Sequence, residues 1–227
     1  MMSNLPAKTT ETDQSYAQLH RAIVRGELSP NERLVEMELA QKLGVGRAAV
    51  RTALARLEQE GLVEHEPNRG ARVRAISEAE AAEMLDVRAV LEGLAARYAA
   101  RNATEQDLAA LQAIHAQMQA CLAQDDLLSI SDLNAQWHDK LLAIANHQTV
   151  TGLIHRLRAQ HVRFQYRTLL VPGRARHSLA EHAAVMAAVA AHDEVVAENA
   201  MRQHLTRTAD ALRQGGRISN SAMHSAL

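Results

Sequence analysis

Arg47 and Arg51 stand one helical turn apart in a stretch that has no acidic residue between Glu38 and Glu58, and Lys42 and Arg56 fall in the same stretch. Guanidinium groups so placed offer two kinds of recognition. As a cationic stripe they neutralise phosphates. As planar forks they donate paired hydrogen bonds to guanine O6 and N7. Reading bases also requires the helix to come close to the duplex. Ala48, Thr52 and Ala55, on its outward face, are small enough to allow that. A solvated helix face carries the same residue types, so the surrounding elements must decide between the readings.

Those elements form a recognisable frame. Two helices, about Glu36–Leu43 and Arg47–Glu60, flank the turn Leu43-Gly44-Val45-Gly46. The second buries Val50, Ala53, Leu54 and Leu57 at helical spacing. An earlier helix, Gln14–Arg25, places Leu19, Ala22 and Ile23 on one face, and Gly26 can supply its left-handed cap. Pro30-Asn31 makes a turn. Leu62–His65 and Ala71–Arg74 read as short strands joined through Pro67–Gly70. This order is that of a winged helix-turn-helix, whose second helix lies in the major groove of DNA.

The rest of the chain is helical. Of its 227 residues 47% are hydrophobic but only 2% aromatic. The core must therefore come from Leu, Ala, Val, Ile and Met, most of them strong helix formers. Ser77 and Glu80 have the spacing of a capping box, and Thr104 can cap a further helix. Helices are expected over 78–102, 105–123, 126–145, 147–170, 175–192 and 194–214, with Pro172-Gly173 as a break. The expected fold class is mainly all-α: a winged helix-turn-helix with a small β-hairpin wing, then an antiparallel helical bundle. The boundaries are a disordered arm 1–13, a DNA-binding domain 14–76, an effector-binding domain 77–214 and a flexible tail 215–227. A formal net charge of -1 excludes a generally basic nucleic-acid binder. Cys121 is the single cysteine, so no disulfide forms within the chain, which fits a reducing cytoplasm. It reads as a small core residue. No apolar run of about 18 residues is present, so no membrane span is expected, and the first residues lack the apolar core of a signal peptide.

These motifs resemble those of the GntR-type bacterial transcription regulators, in the branch similar to the fatty-acid regulator, which carries an all-helical FCD ligand domain. The resemblance covers about residues 14–212. Gly26-Glu27-Leu28-Ser29-Pro30-Asn31-Glu32-Arg33-Leu34 is similar to the family's G-x-L-x-P-G-x-x-L. Glu38-Leu39-Ala40, Leu43-Gly44-Val45 and Leu57-Glu58-Gln59-Glu60-Gly61-Leu62 match its helix-turn-helix frame, and Pro67-Asn68-Arg69-Gly70-Ala71 matches its wing. The recognition helix departs from S-R-T-P-V-R-E-A-L: here it reads Gly46-Arg47-Ala48-Ala49-Val50-Arg51-Thr52-Ala53-Leu54. Both arginines are kept, while the Ser, Thr, Pro and Glu are not, which implies an operator different from the family's common one. In the body, Arg88-Ala89-Val90-Leu91-Glu92, Asn134-x-x-x-His138, Glu181-His182 and Arg202-Gln203-His204-Leu205 resemble the ligand-domain signatures.

The resemblance implies a site. Asn134 and His138 share a helix face, and a bundle can bring His182 and His204 to them from later helices. The corresponding family positions bind a divalent metal, and three imidazoles with one oxygen suit Zn, Ni or Mn. Asn134 stands where an Asp is usual, which removes a negative charge and leaves the ion more attractive to anions. Arg88 is the expected anchor for an effector carboxylate, although an i,i+4 pair with Glu92 would use the same guanidinium. Trp137 reads as a core residue. In the head, the implied DNA contacts are Arg47, Ala48, Arg51, Thr52, Arg69 and Gly70.

The reading is a cytoplasmic transcription factor, a repressor acting as a homodimer on an inverted repeat in double-stranded DNA. A small organic acid bound beside the metal controls it. Two rivals are weighed against it. A metal-dependent hydrolase would share the histidines, but it needs an acid or base. Glu181 is the only near candidate, and it points away from its neighbour His182. A metal-free regulator would take an acyl thioester or another apolar ligand in the same cavity.

Overall fold

The computed structural model describes residues 10–66 and 70–224, without side-chain detail for 159–163, 165–167 and 215–224. The chain divides into two compact units, Met1–Ile76 and Ser77–Leu227.

The first unit is built from α1 (Glu11–Val24), β1 (Arg33–Leu34), α2 (Glu36–Leu43), α3 (Arg47–Gln59), β2 (Val63–Glu66) and β3 (Gly70–Val73). Helix α1 starts at Glu11, earlier than the expected Gln14, so residues 11–13 are helical rather than part of an arm. Thr10 causes this. Its hydroxyl accepts the Asp13 N–H at 3.1 Å, and the Asp13 carboxylate accepts the Thr10 N–H at 3.4 Å, which closes a capping box. Leu19 and Ile23 of α1 are buried, and the helix packs against α3. Gly44 ends α2 in the left-handed region at φ 68, where only Gly is at ease.

The expected hairpin β2–β3 is antiparallel and pairs Val63 with Val73 and Glu66 with Gly70. A third strand, β1, lies on the other side of β3 and pairs Leu34 with Ala71, giving the order β1-β3-β2. Two residues cannot display the alternation by which strands are recognised. Asn31 brings β1 into place at φ 65, its N–H bonded to the Val73 carbonyl at 2.9 Å. Of the expected turn Pro67–Gly70, residues 67–69 lie outside the described residues.

The second unit contains α4 (Glu78–Asn102), α5 (Glu105–Ala123), α6 (Leu127–Ala145), α7 (Gln148–Leu169), α8 (Arg174–Ala190) and α9 (Glu194–His224). Helix α4 is central and packs on α6, α7, α8 and α9. Small residues let it sit there: Ala81, Ala82, Ala89, Ala95, Ala96, Ala99 and Ala100 are all buried. Helix α9 approaches closely at Gly93, where an added Cβ would lie 2.6 Å from Arg202 Cγ and 3.2 Å from the Glu198 carbonyl oxygen. Thr104 and Asp107 form a complete capping box at the start of α5. Cys121 is half-buried against the apolar cluster of Ile130, Leu169 and Ala175. Helix α9 continues past Gly215, where a tail was expected, to His224. Two glycines lower helix propensity by about 1 kcal/mol each but leave the hydrogen-bond ladder intact, and no proline follows to break it. Among the described residues no helix is long and apolar enough to cross a membrane.

Candidate functional site

Three helices of the second unit converge on a cluster of imidazoles. His138 comes from α6, His182 from α8 and His204 from α9. All three are buried, and one nitrogen of each lies within 4.8 Å of the others. His182 Nε2 and His204 Nε2 are 3.3 Å apart. Trp137, fully buried as expected of a core residue, stacks on His182 with centroids 4.1 Å apart.

Two carboxylates stand behind the rings. Glu181 Oε2 accepts the His204 Nδ1 proton at 2.7 Å. Glu92 Oε2 approaches His138 Nδ1 at 2.7 Å, outside hydrogen-bond alignment. A carboxylate at Nδ1 holds a proton there and leaves Nε2 with its lone pair, the usual outer arrangement of a metal-binding histidine. His182 has no such partner, and its buried Nδ1 makes no hydrogen bond. Burial dominates the electrostatics. It pushes His138 down to about 4 against the pull of Glu92. It also takes His182 well below the usual imidazole range, with help from His204 and His138, and lowers His204 despite Glu181. At neutral pH the rings are uncharged donors, which is the form that coordinates a metal. The donor set therefore fits a divalent ion.

A pH dependence follows. In the unfolded chain an imidazole takes its proton near 6.5, while folded His138 takes it only at about 4. Between those values the unfolded state binds more protons, so folding stability falls as pH falls. Thermal melts of the chelator-treated protein are expected to be level above pH 6.5 and to drop steadily toward pH 4. A level profile across that window would contradict the burial of neutral rings.

A cavity opens beside the cluster, bordered by His138, His204, Asn134, Arg88, Arg158 and Arg174 among others. Asn134 is half-buried there, one turn before His138 on α6. Arg88 also borders it, but its guanidinium holds Glu92 Oε1 at 2.7 Å within the core. The i,i+4 pair weighed from the sequence is thus present. Arg174 is tied by Nη2 to Glu181 at 2.8 Å and to Thr208 at 2.7 Å, while its buried Nη1 has no partner. Sequence reasoning missed Glu92 and Glu181 as supports for the histidines, and Arg158 and Arg174 as wall residues. A signal existed for one pair: Arg174 and Glu181 are seven apart, on one face of α8. His192 and His115 bond the backbone carbonyls of Ala100 and Leu179, and the charge of His115 adds to the lowering of His182.

In the first unit Arg47 and Arg51 lie on the open side of α3, with side chains 63% and 66% exposed. Both reach Glu36 at the start of α2: Arg51 Nε at 3.2 Å and Arg47 Nη2 at 3.7 Å. Ala48 and Thr52, the residues that follow each arginine, are exposed, and the Thr52 hydroxyl donates to the Ala48 carbonyl at 3.0 Å. Gly70, exposed, opens β3 at φ 81. Arg69 lies outside the described residues.

Known proteins share both units. The family model described as "Bacterial regulatory proteins, gntR family" matches residues 11–73, and the FCD domain model matches residues 83–207. The HTH-type transcriptional repressor RspR of Escherichia coli K12 is 29% identical over 201 residues, covering 88% of each chain. The HTH-type transcriptional repressor GlaR of the same strain is 30% identical over 198 residues, covering 84% of this chain and 90% of its own. Among solved structures, E. coli McbR/YncC has a TM-score of 0.76 at 24% identity, over 90% of this chain and 98% of that one. The relatives are transcriptional regulators and not enzymes, so the hydrolase reading falls. The chain belongs to the GntR family of bacterial transcriptional regulators, with an FCD domain as its second unit.

Proposed function

We propose that the protein is a repressor that binds an inverted-repeat operator as a homodimer, and that a small carboxylate releases it by binding beside a divalent ion in the helical unit. Residues 14–76 act as the DNA-binding domain and 77–214 as the effector domain. The observation that carries this reading is the cluster of His138, His182 and His204, three buried neutral rings, two of which border a cavity walled by guanidinium groups. Those rings, with the Asn134 carbonyl oxygen, would hold Zn, Ni or Mn. A bound ion supplies positive charge and open positions for carboxylate oxygen.

The chain's own residues set the rest. Glu181 fixes the His204 ring by its hydrogen bond, Glu92 lies 2.7 Å from His138, and Arg88, Arg158 and Arg174 line the walls. An acyl thioester or other apolar effector would meet polar walls in place of apolar ones. The cavity has a volume of about 40 Å³, room for a few waters. A larger effector must displace the walls, which belong to α4, α6, α7, α8 and α9. That displacement is what lets a ligand favour one arrangement of the body over another, and without such a difference in affinity it shifts nothing.

The test is a gel shift with full-length protein and an operator selected from random duplexes. Small carboxylates are expected to release the zinc-loaded complex and to leave the chelator-treated complex intact. Release that ignores the metal, or no release by any small acid, would overturn the reading.

A further inference from the structure

The charges around the cavity do not balance once a divalent ion is present. The donors nearest it, three neutral rings and the Asn134 amide, carry no negative charge. Among the described residues the neighbouring carboxylates are already matched: Glu92 by Arg88 at 2.7 Å, Glu181 by Arg174 at 2.8 Å and more distantly by Arg207 at 3.4 Å, and Asp139 by Arg158. An ion would therefore bring two positive charges into a buried site with nothing to cancel them, and uncompensated charge in such a place is strongly disfavoured. One carboxylate from a ligand cancels half.

The second observation is independent of any metal. Arg174 is 7% exposed, borders the cavity, and uses one terminal nitrogen on Glu181 and Thr208. Its other terminal nitrogen, Nη1, is buried with no hydrogen-bond partner. A guanidinium donor left unmade in the interior is costly, and such groups mark a missing acceptor.

We infer that the effector is a small dicarboxylate, one carboxylate facing the imidazole cluster and the other accepting from Arg174 Nη1. This rests on the metal reading above and adds the number of charges the ligand carries and the residue that selects it. Arg174 is then the specificity residue, in place of Arg88, whose guanidinium is committed to Glu92.

The experiment is calorimetric titration of zinc-loaded full-length protein with malonate, succinate and glutarate, against propionate, butyrate and pentanoate as partners of equal carbon number. At least one dicarboxylate is expected to bind about 10–100-fold more tightly than its monocarboxylate partner, the ratio of one charge-assisted contact. Arg174→Lys keeps a cation for Glu181 but loses the fork, and is expected to bring the ratio within about threefold at unchanged zinc content. Asn134→Asp adds a negative charge at the metal, which weakens both classes but the doubly charged ligands more, so it is also expected to narrow the ratio. This gives a second check should Arg174→Lys fold poorly. Wild-type protein that binds both classes alike, or an Arg174→Lys variant that folds and keeps the preference, overturns the dicarboxylate inference alone. Zinc-loaded protein that binds neither class overturns the carboxylate reading beneath it.

Discussion

Replacing Arg51 by alanine is expected to weaken binding to the selected operator about 10–100-fold, and replacing Arg47 and Arg51 together is expected to leave only salt-sensitive, sequence-independent binding. A bidentate arginine–guanine contact is worth about 1–3 kcal/mol of discrimination. Lost phosphate contacts weaken all sequences alike and shift the salt slope by about one per contact. The geometry favours base reading at Arg51. Its side chain is 66% exposed on α3, small residues flank it, and Glu36 holds Nε at 3.2 Å. A tethered fork enters the groove with less conformational freedom to lose. Glu36 also sets a limit, since its carboxylate repels phosphates and competes for both arginines. Glu36→Gln is therefore expected to raise affinity for scrambled duplex while narrowing the gap to the operator. Fluorescence anisotropy on both duplexes at two salt concentrations reads all three effects. Specific binding left intact in the double variant would remove α3 from DNA recognition.

Much of this was legible in the residues, for reasons that can be named. Helix ends announce themselves through short-range chemistry: Ser77, Thr104 and Gly44 act where their types allow, and α4 and α5 begin and end as their caps and spacing predicted. The three histidines were implied by the resemblance to the family's ligand-domain motifs, and the bundle brings them together. What stayed hidden depends on partners distant in sequence. Glu181 was judged by its neighbour His182, but it turns to His204, 23 residues away, at 2.7 Å. Arg88 is the contrasting case: its partner Glu92 is four residues on, and the pair weighed from the sequence is present. The special state of Arg174 arises from a donor that lacks a partner, and no spacing rule records an absent bond. Strand β1 escaped notice because two residues carry no period.

Substituting His182 by phenylalanine separates a metal centre from a merely structural cluster. If the cluster holds an ion, wild-type protein loaded with zinc at 100 times its dissociation constant gains about 2.7 kcal/mol. At ~2–4 °C per kcal/mol for a chain of this size, its melting temperature rises by roughly 5–11 °C. In His182→Phe that rise is expected to vanish and the zinc content to fall from one ion per chain to near zero, because a lone pair is lost from a set of three. The chelator-treated variant is expected to melt no lower than chelator-treated wild type. Phenylalanine keeps the stack on Trp137, 4.1 Å away, and removes a buried Nδ1 that makes no hydrogen bond. Leaving such a group unmade costs about 1–3 kcal/mol, which offsets the slightly larger ring. A structural cluster behaves in the opposite way: zinc does not move the wild-type melt, and loss of the His182–His204 contact lowers the metal-free melt. Melting curves with and without zinc, together with elemental analysis of both proteins, decide between these outcomes, because in one the imidazole costs the empty fold stability and in the other it holds the fold together.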